Sequence, residues 1–92
     1  MTASIFVQIT VKDFNAWKKA YDDGEQLRND NGVLNDSVHH SSDNPGSVMV
    51  YNQFANEDAL KSFLALMQSP PAQESLEAAG VLTSEIWFGE DV

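Results

Sequence analysis

Apolar residues in this chain of 92 residues repeat with a period of two in some stretches and of three to four in others, and the order of those stretches constrains the fold more than any single motif. From Ser4 to Val11, Ile5, Val7, Ile9 and Val11 share one face of a strand and Phe6, Gln8 and Thr10 share the other. Val33 to His40 alternates less cleanly: Leu34, Val38 and His40 fall on one face and Asn35, Ser37 and His39 on the other, which predicts an edge or near-edge strand. The run SSDNPG from Ser41 to Gly46 is a dense turn signal. Behind it Ser47 to Phe54 carries the strand formers Val48, Met49, Val50, Tyr51 and Phe54, so the two segments predict a hairpin. A last strand is expected at Glu85 to Phe88.

The intervening stretches read as helices. Asp13 is placed to cap the first, where Phe14, Trp17, Tyr21, Gly24 and Leu27 follow a three-to-four spacing. Gly24 weakens its middle by about 1 kcal/mol relative to Ala, and the Asn-Asp-Asn-Gly run from Asn29 to Gly32 ends it. Asn56 is an N-cap for the second helix, Glu57 and Asp58 suit its positive end, and Leu60, Phe63, Leu64 and Met67 form its apolar stripe. Ser69-Pro70-Pro71 stops that helix and starts another short one, which runs to about Ala79 before Gly80.

The resulting order, β-α-β-β-α-β with a divided second helix, predicts a single α+β domain over residues 1–92 of the ferredoxin-like type, with an antiparallel sheet and its helices on one face. The aliphatic set Ile5, Val7, Ile9, Val48 and Val50 suits the helix side. The opposite face mixes Phe6, Met49, Tyr51 and Trp87 with Gln8, Thr10 and Gln53, and contiguous exposed aromatics of this kind mark an interface. A homodimer with the two sheets face to face covers that surface symmetrically, and it adds burial to a chain whose own core is thin.

Composition narrows the chemistry. The formal net charge is −9, and Lys12, Lys18, Lys19, Arg28 and Lys61 form no basic stripe, which argues against nucleic acid and anionic membranes as partners. With no Cys there is no disulfide, thiolate metal site or Cys nucleophile. The first residues resemble neither a signal peptide nor a membrane span, so a cytoplasmic location is expected. His39 and His40 are adjacent on a strand and diverge, so they cannot share a metal; Asp22 and Asp23 diverge on a helix in the same way. The Asn29 to Gly32 run lacks the carboxylates that a calcium loop needs at its first and twelfth positions.

Four segments, VKDFNAWKKAYD, SSDNPGSVMVY, ANEDALKSFLALMQSP and AAGVLTSEIWF, together resemble small proteins of the dimeric α/β barrel superfamily, the group that includes antibiotic-biosynthesis monooxygenase-like domains. The likeness rests on Asp13, Phe14, Trp17, Lys18 and Tyr21 in the first helix and on the turn from Asp43 to Pro45, and it spans nearly the whole chain. It implies a homodimer and a mainly apolar pocket between helices and sheet near Trp17, Tyr21, Phe63 and Met67, with Trp17, Phe63 and Met67 as ligand contacts. The plainer reading of those side chains is core. The superfamily contains cofactor-free oxygenases, haem-degrading enzymes, isomerase-like proteins and stress-response dimers, so the fold does not choose among them. Haem-degrading members have a helical His as iron ligand, and here neither helix carries one. The expected function is therefore a cofactor-independent monooxygenase- or isomerase-like enzyme, without metal, acting on a small apolar or aromatic ligand. His40, Asn52 and Tyr21 are the candidate catalytic groups; the alternative is a non-catalytic dimeric ligand-binding or stress-response module.

Overall fold

A computed structural model describes residues 1–92. The chain runs β1 (Ala3–Val11), α1 (Phe14–Asp23), α2 (Glu25–Asp30), β2 (Val33–His40), β3 (Ser47–Phe54), α3 (Glu57–Met67), α4 (Pro70–Ala78) and β4 (Val81–Glu90). The four strands form one sheet in the order β2-β3-β1-β4, and every neighbouring pair is antiparallel. This is the ferredoxin-like arrangement, with the helices on one sheet face. Asp13 and Asn56 cap as their chemistry dictates: each side chain accepts from a backbone N–H three residues on, Ala16 at 3.1 Å and Ala59 at 2.9 Å.

Three expectations need correction. The first helix is not continuous. Gly24 leaves helical geometry at φ −87° and ψ 5°, its N–H turns back to the carbonyl of Tyr21, and α2 starts on the Gly24 carbonyl. A side chain at that corner would bring its Cβ within 3.3 Å of the Arg28 guanidinium, so the break also makes room for Arg28. The face assignment of the second strand also shifts. A register irregularity between Val33 and Asn35 ejects Leu34 to solvent, so Val33, Asp36, Val38 and His40 share the helix side. The last strand, finally, is much longer than Glu85 to Phe88, because β4 pairs with β1 along nearly its whole length, from Ala3 opposite Glu90 to Val11 opposite Val81.

The core is in two parts. Ala3, Ile5, Val33, Phe54, Leu60 and Phe63 form one cluster beneath α3, and Ile9, Val11, Trp17, Val48 and Val50 form another beneath α1. Val7 packs against both. The opposite sheet face has an aromatic centre: Phe6 lies between Tyr51 and Trp87 in register, with ring centroids 5.2 and 5.7 Å away. Phe6 and Met49 are partly exposed there and Trp87 is 63% exposed. At one end of that face the Ser4 and Thr2 hydroxyls and the Gln53 amide donate to the Asp91 carboxylate, which holds that carboxyl below the usual range. No helix is long and apolar enough to cross a membrane.

Candidate functional site

A cavity of about 300 Å³ lies between the helices and the sheet, in the gap between the two core clusters. Its floor is strand side chains, Ile5, Val7 and Ile9 of β1 and Val50 of β3; Trp17 and Tyr21 of α1 and Phe63 and Met67 of α3 close it from the helix side. The volume is at the lower end of the range for small-molecule pockets, about 300–1,000 Å³, and the walls are mainly apolar as such pockets require. Trp17 and Phe63 are core and cavity wall at once, 4% and 7% exposed.

Asn52 and Ser84 are the polar strand residues lining the cavity, and Asn52 is the buried one. It follows Val48 and Val50 on the helix side of β3 because strand residues alternate, and it is 4% exposed. Its Oδ1 is buried and has no hydrogen-bond partner. Leaving a buried acceptor unpaired costs about 1–3 kcal/mol, so this oxygen calls for a donor from water or from a bound molecule.

Tyr21 occupies the opposite wall. Its hydroxyl donates to Asp36 Oδ2 at 2.8 Å, and the Arg28 guanidinium lies 3.6 Å over its ring. Burial, then the hydrogen bond to Asp36, push the phenol well above its ordinary value, with Arg28 opposing. Tyr21 is therefore a neutral donor at physiological pH and not a base. Because the folded-state value lies above the unfolded one of about 10, the associated stability is complete below that pH and is lost as pH rises beyond it. Urea midpoints of the wild type should accordingly fall at alkaline pH, and Tyr21→Phe should flatten that fall; parallel pH profiles of the two proteins would show the inference to be wrong.

His40 is elsewhere. It is exposed at the end of β2, its Nδ1 3.1 Å from the Ser41 carbonyl and its ring edge-on to Phe14 with centroids 4.7 Å apart, and it is not on the cavity wall. His39 faces the other way, its Nε2 3.0 Å from the Ser37 hydroxyl. Of the three candidate catalytic residues, the cavity thus brings together Asn52 and Tyr21 and leaves His40 out.

Two residues escaped sequence reasoning. Arg28 sits on the cavity wall, and Asp36 links to it and to Tyr21, with Arg28 Nη2 at 3.7 Å from Asp36 Oδ2. The seven-residue spacing from Tyr21 to Arg28 was a usable signal for a shared helix face. Asp36 was legible too, since it shares parity with Val38 and His40, which the irregularity at Leu34 leaves unchanged. A second, polar depression of about 370 Å³ adjoins the cavity, shares Tyr21 and Arg28 with it, and is otherwise lined by Lys18, Asp22, Glu25, Asp36, Ser37 and Val38.

Several solved structures share this architecture. SnoaB, a cofactor-independent oxygenase from Streptomyces nogalater, superposes with a TM-score of 0.79 at 16% identity, covering 99% of this chain and 93% of that one. Candidate antibiotic biosynthesis monooxygenases from Bordetella bronchiseptica (TM-score 0.77, 13% identity, 99% and 97% covered) and Caulobacter crescentus (0.75, 17%, 99% and 90%) are similar in the same way. At such identities the likeness shows the fold alone. No curated protein sequence matches the chain at a significant level. The model of the antibiotic biosynthesis monooxygenase family, however, matches residues 2–78, well over half of the sequence, and the chain belongs to that family.

Proposed function

We propose that this chain is a homodimeric, cofactor-independent monooxygenase- or isomerase-like enzyme whose cavity takes an apolar or aromatic small molecule. The observation that carries the reading is Asn52: a buried, unpartnered amide oxygen on the floor of a mainly apolar cavity. Family membership and the fold shared with a cofactor-independent oxygenase support it. In this reading the substrate is a phenol or cyclic ketone acidic enough to lose its proton to solvent water at the cavity mouth, since the wall carries no carboxylate or imidazole to take it, which leaves a carbanion or phenolate. The unpaired Oδ1 of Asn52 accepts from the substrate's hydroxyl before it ionises, the N–H donors of the same amide meet the developing oxyanion, and the apolar walls keep water from it; the Tyr21 proton is already committed to Asp36. The electrons for oxygen come from the substrate itself. Oxidation of an activated CH₂ to a carbonyl uses one dioxygen, places one of its atoms in the product and releases the other as water with the two hydrogens of the CH₂. The outer sheet face around Phe6, Tyr51 and Trp87 is the contact to the second copy.

Oxygen uptake with anthrone as probe tests the enzyme. Asn52→Ala is expected to lower turnover by about 10²–10³-fold, the usual cost of removing one oxyanion donor. Its circular dichroism should stay that of the wild type. Unchanged turnover in Asn52→Ala would sink the role given to the amide. The position of His40 outside the cavity, with no carboxylate or imidazole on the cavity wall, favours a second reading as a ligand-binding module without catalysis. That reading requires ligand-induced thermal stabilisation with no oxygen uptake.

A further inference from the structure

Arg28 carries the only formal charge on the wall of the apolar cavity, in a chain with five Lys plus Arg against 14 Asp plus Glu. Its side chain is 12% exposed. A guanidinium presents five N–H donors, yet here its hydrogen bonding is one contact, from Nη1 to the backbone carbonyl of Tyr21. Asp36 does not complete the set: it stands at 3.7 Å from Nη2, beyond hydrogen-bond distance, and the same Oδ2 already accepts from the Tyr21 hydroxyl at 2.8 Å. The face of the guanidinium is spent on the Tyr21 ring, 3.6 Å away, which leaves its edge. The remaining nitrogens are not sealed from water, so an anion arriving there exchanges that water for charge-assisted hydrogen bonds.

Resting on the reading of the cavity as a ligand site, we propose that the ligand is an aromatic carboxylate, with its carboxylate on the unfilled donors of Arg28 and its rings over the apolar walls toward Asn52. The planar fork of an Arg side chain matches a carboxylate bidentately, and a Lys there would not. The surroundings fix the side from which the anion is held. The outer depression carries Asp22, Glu25 and Asp36, and its Lys18 is already paired with Asp22 at 2.5 Å, so an anion is repelled there and is seated from the cavity side. Asp36 is then a partial competitor for Arg28.

Equilibrium dialysis of naphthalene carboxylate against its methyl ester, which has the same rings and no charge, tests this at neutral pH. The wild type should hold the acid at least about tenfold more tightly than the ester, the size expected of charge-assisted hydrogen bonds. Arg28→Met should abolish that preference and keep the ester. Asp36→Asn, which retains an acceptor for the Tyr21 hydroxyl, should increase it, and this variant keeps the test decisive should Arg28→Met fail to fold. A wild type that binds acid and ester alike, or an Asp36→Asn variant with weakened acid binding, overturns the assignment of Arg28 and leaves the cavity as a ligand site. Binding of neither compound overturns both.

Discussion

Phe54→Ala is expected to remove about 3–5 kcal/mol of stability, the cost of truncating a fully buried aromatic in a core that collapses only partly around the gap. Phe54 has no exposed surface, and Leu60 and Ala3 beside it have none either, so no neighbour can relax outward to fill the space. Its ring lies 5.3 Å from that of Phe63, and an aromatic pair of this kind adds to the loss from burial alone. A small domain has about 5–15 kcal/mol in all, so the variant should sit near the threshold of unfolding at room temperature. The consequence reaches the site: Phe54 is two residues beyond Asn52 on the same face of β3, and Phe63 walls the cavity. Urea denaturation followed by circular dichroism measures the effect. A loss below about 1 kcal/mol would mean that the site is far less tightly packed than its zero exposure indicates.

Trp87→Glu is expected to turn a dimer into a folded monomer. The side chain is 63% exposed on the isolated chain, so a carboxylate there disturbs the monomer little. In the proposed dimer it lies within the aromatic centre of the covered face, 5.7 Å from Phe6. Truncating such an aromatic typically costs 2 kcal/mol or more at an interface. Glu adds an unpaired charge that must be desolvated, and a symmetric contact counts the change twice. Light scattering should report twice the chain mass of 10.2 kDa for the wild type and the single mass for the variant, with the far-ultraviolet spectrum unchanged. A monomeric wild type, or a variant that stays dimeric, refutes the interface.

What the sequence disclosed follows the reach of each interaction. Strand parity and helix stripes are local, and they placed Ile5, Val7, Ile9, Val48 and Val50 toward the helices and Phe6, Met49, Tyr51 and Trp87 away from them, as the register has it. The caps at Asp13 and Asn56 are local too, and so is the end of the short fourth helix at Gly80, which adopts φ +87°. Features that depend on distant partners were lost. The length of β4 is set by the strand it pairs with, since its own residues from Val81 to Glu85 alternate poorly. The Tyr21–Asp36–Arg28 group needs the helix break at Gly24 and a strand packed beside it, and neither is visible in a period. Asn52 was legible as a helix-side amide from parity alone. That its oxygen lacks a partner depends on the cavity, which no pattern of residues announces.

The two-part core has a consequence for how this molecule deforms. Val7 alone packs against both clusters, so the α1 half and the α3 half are coupled through the sheet backbone and one valine rather than through a continuous mass of side chains. The seam between them is where the two clusters share the fewest side chains, and a molecule seated in the cavity would touch both. Once seated, that molecule would act as the missing mortar, joining two halves that the chain by itself leaves nearly independent.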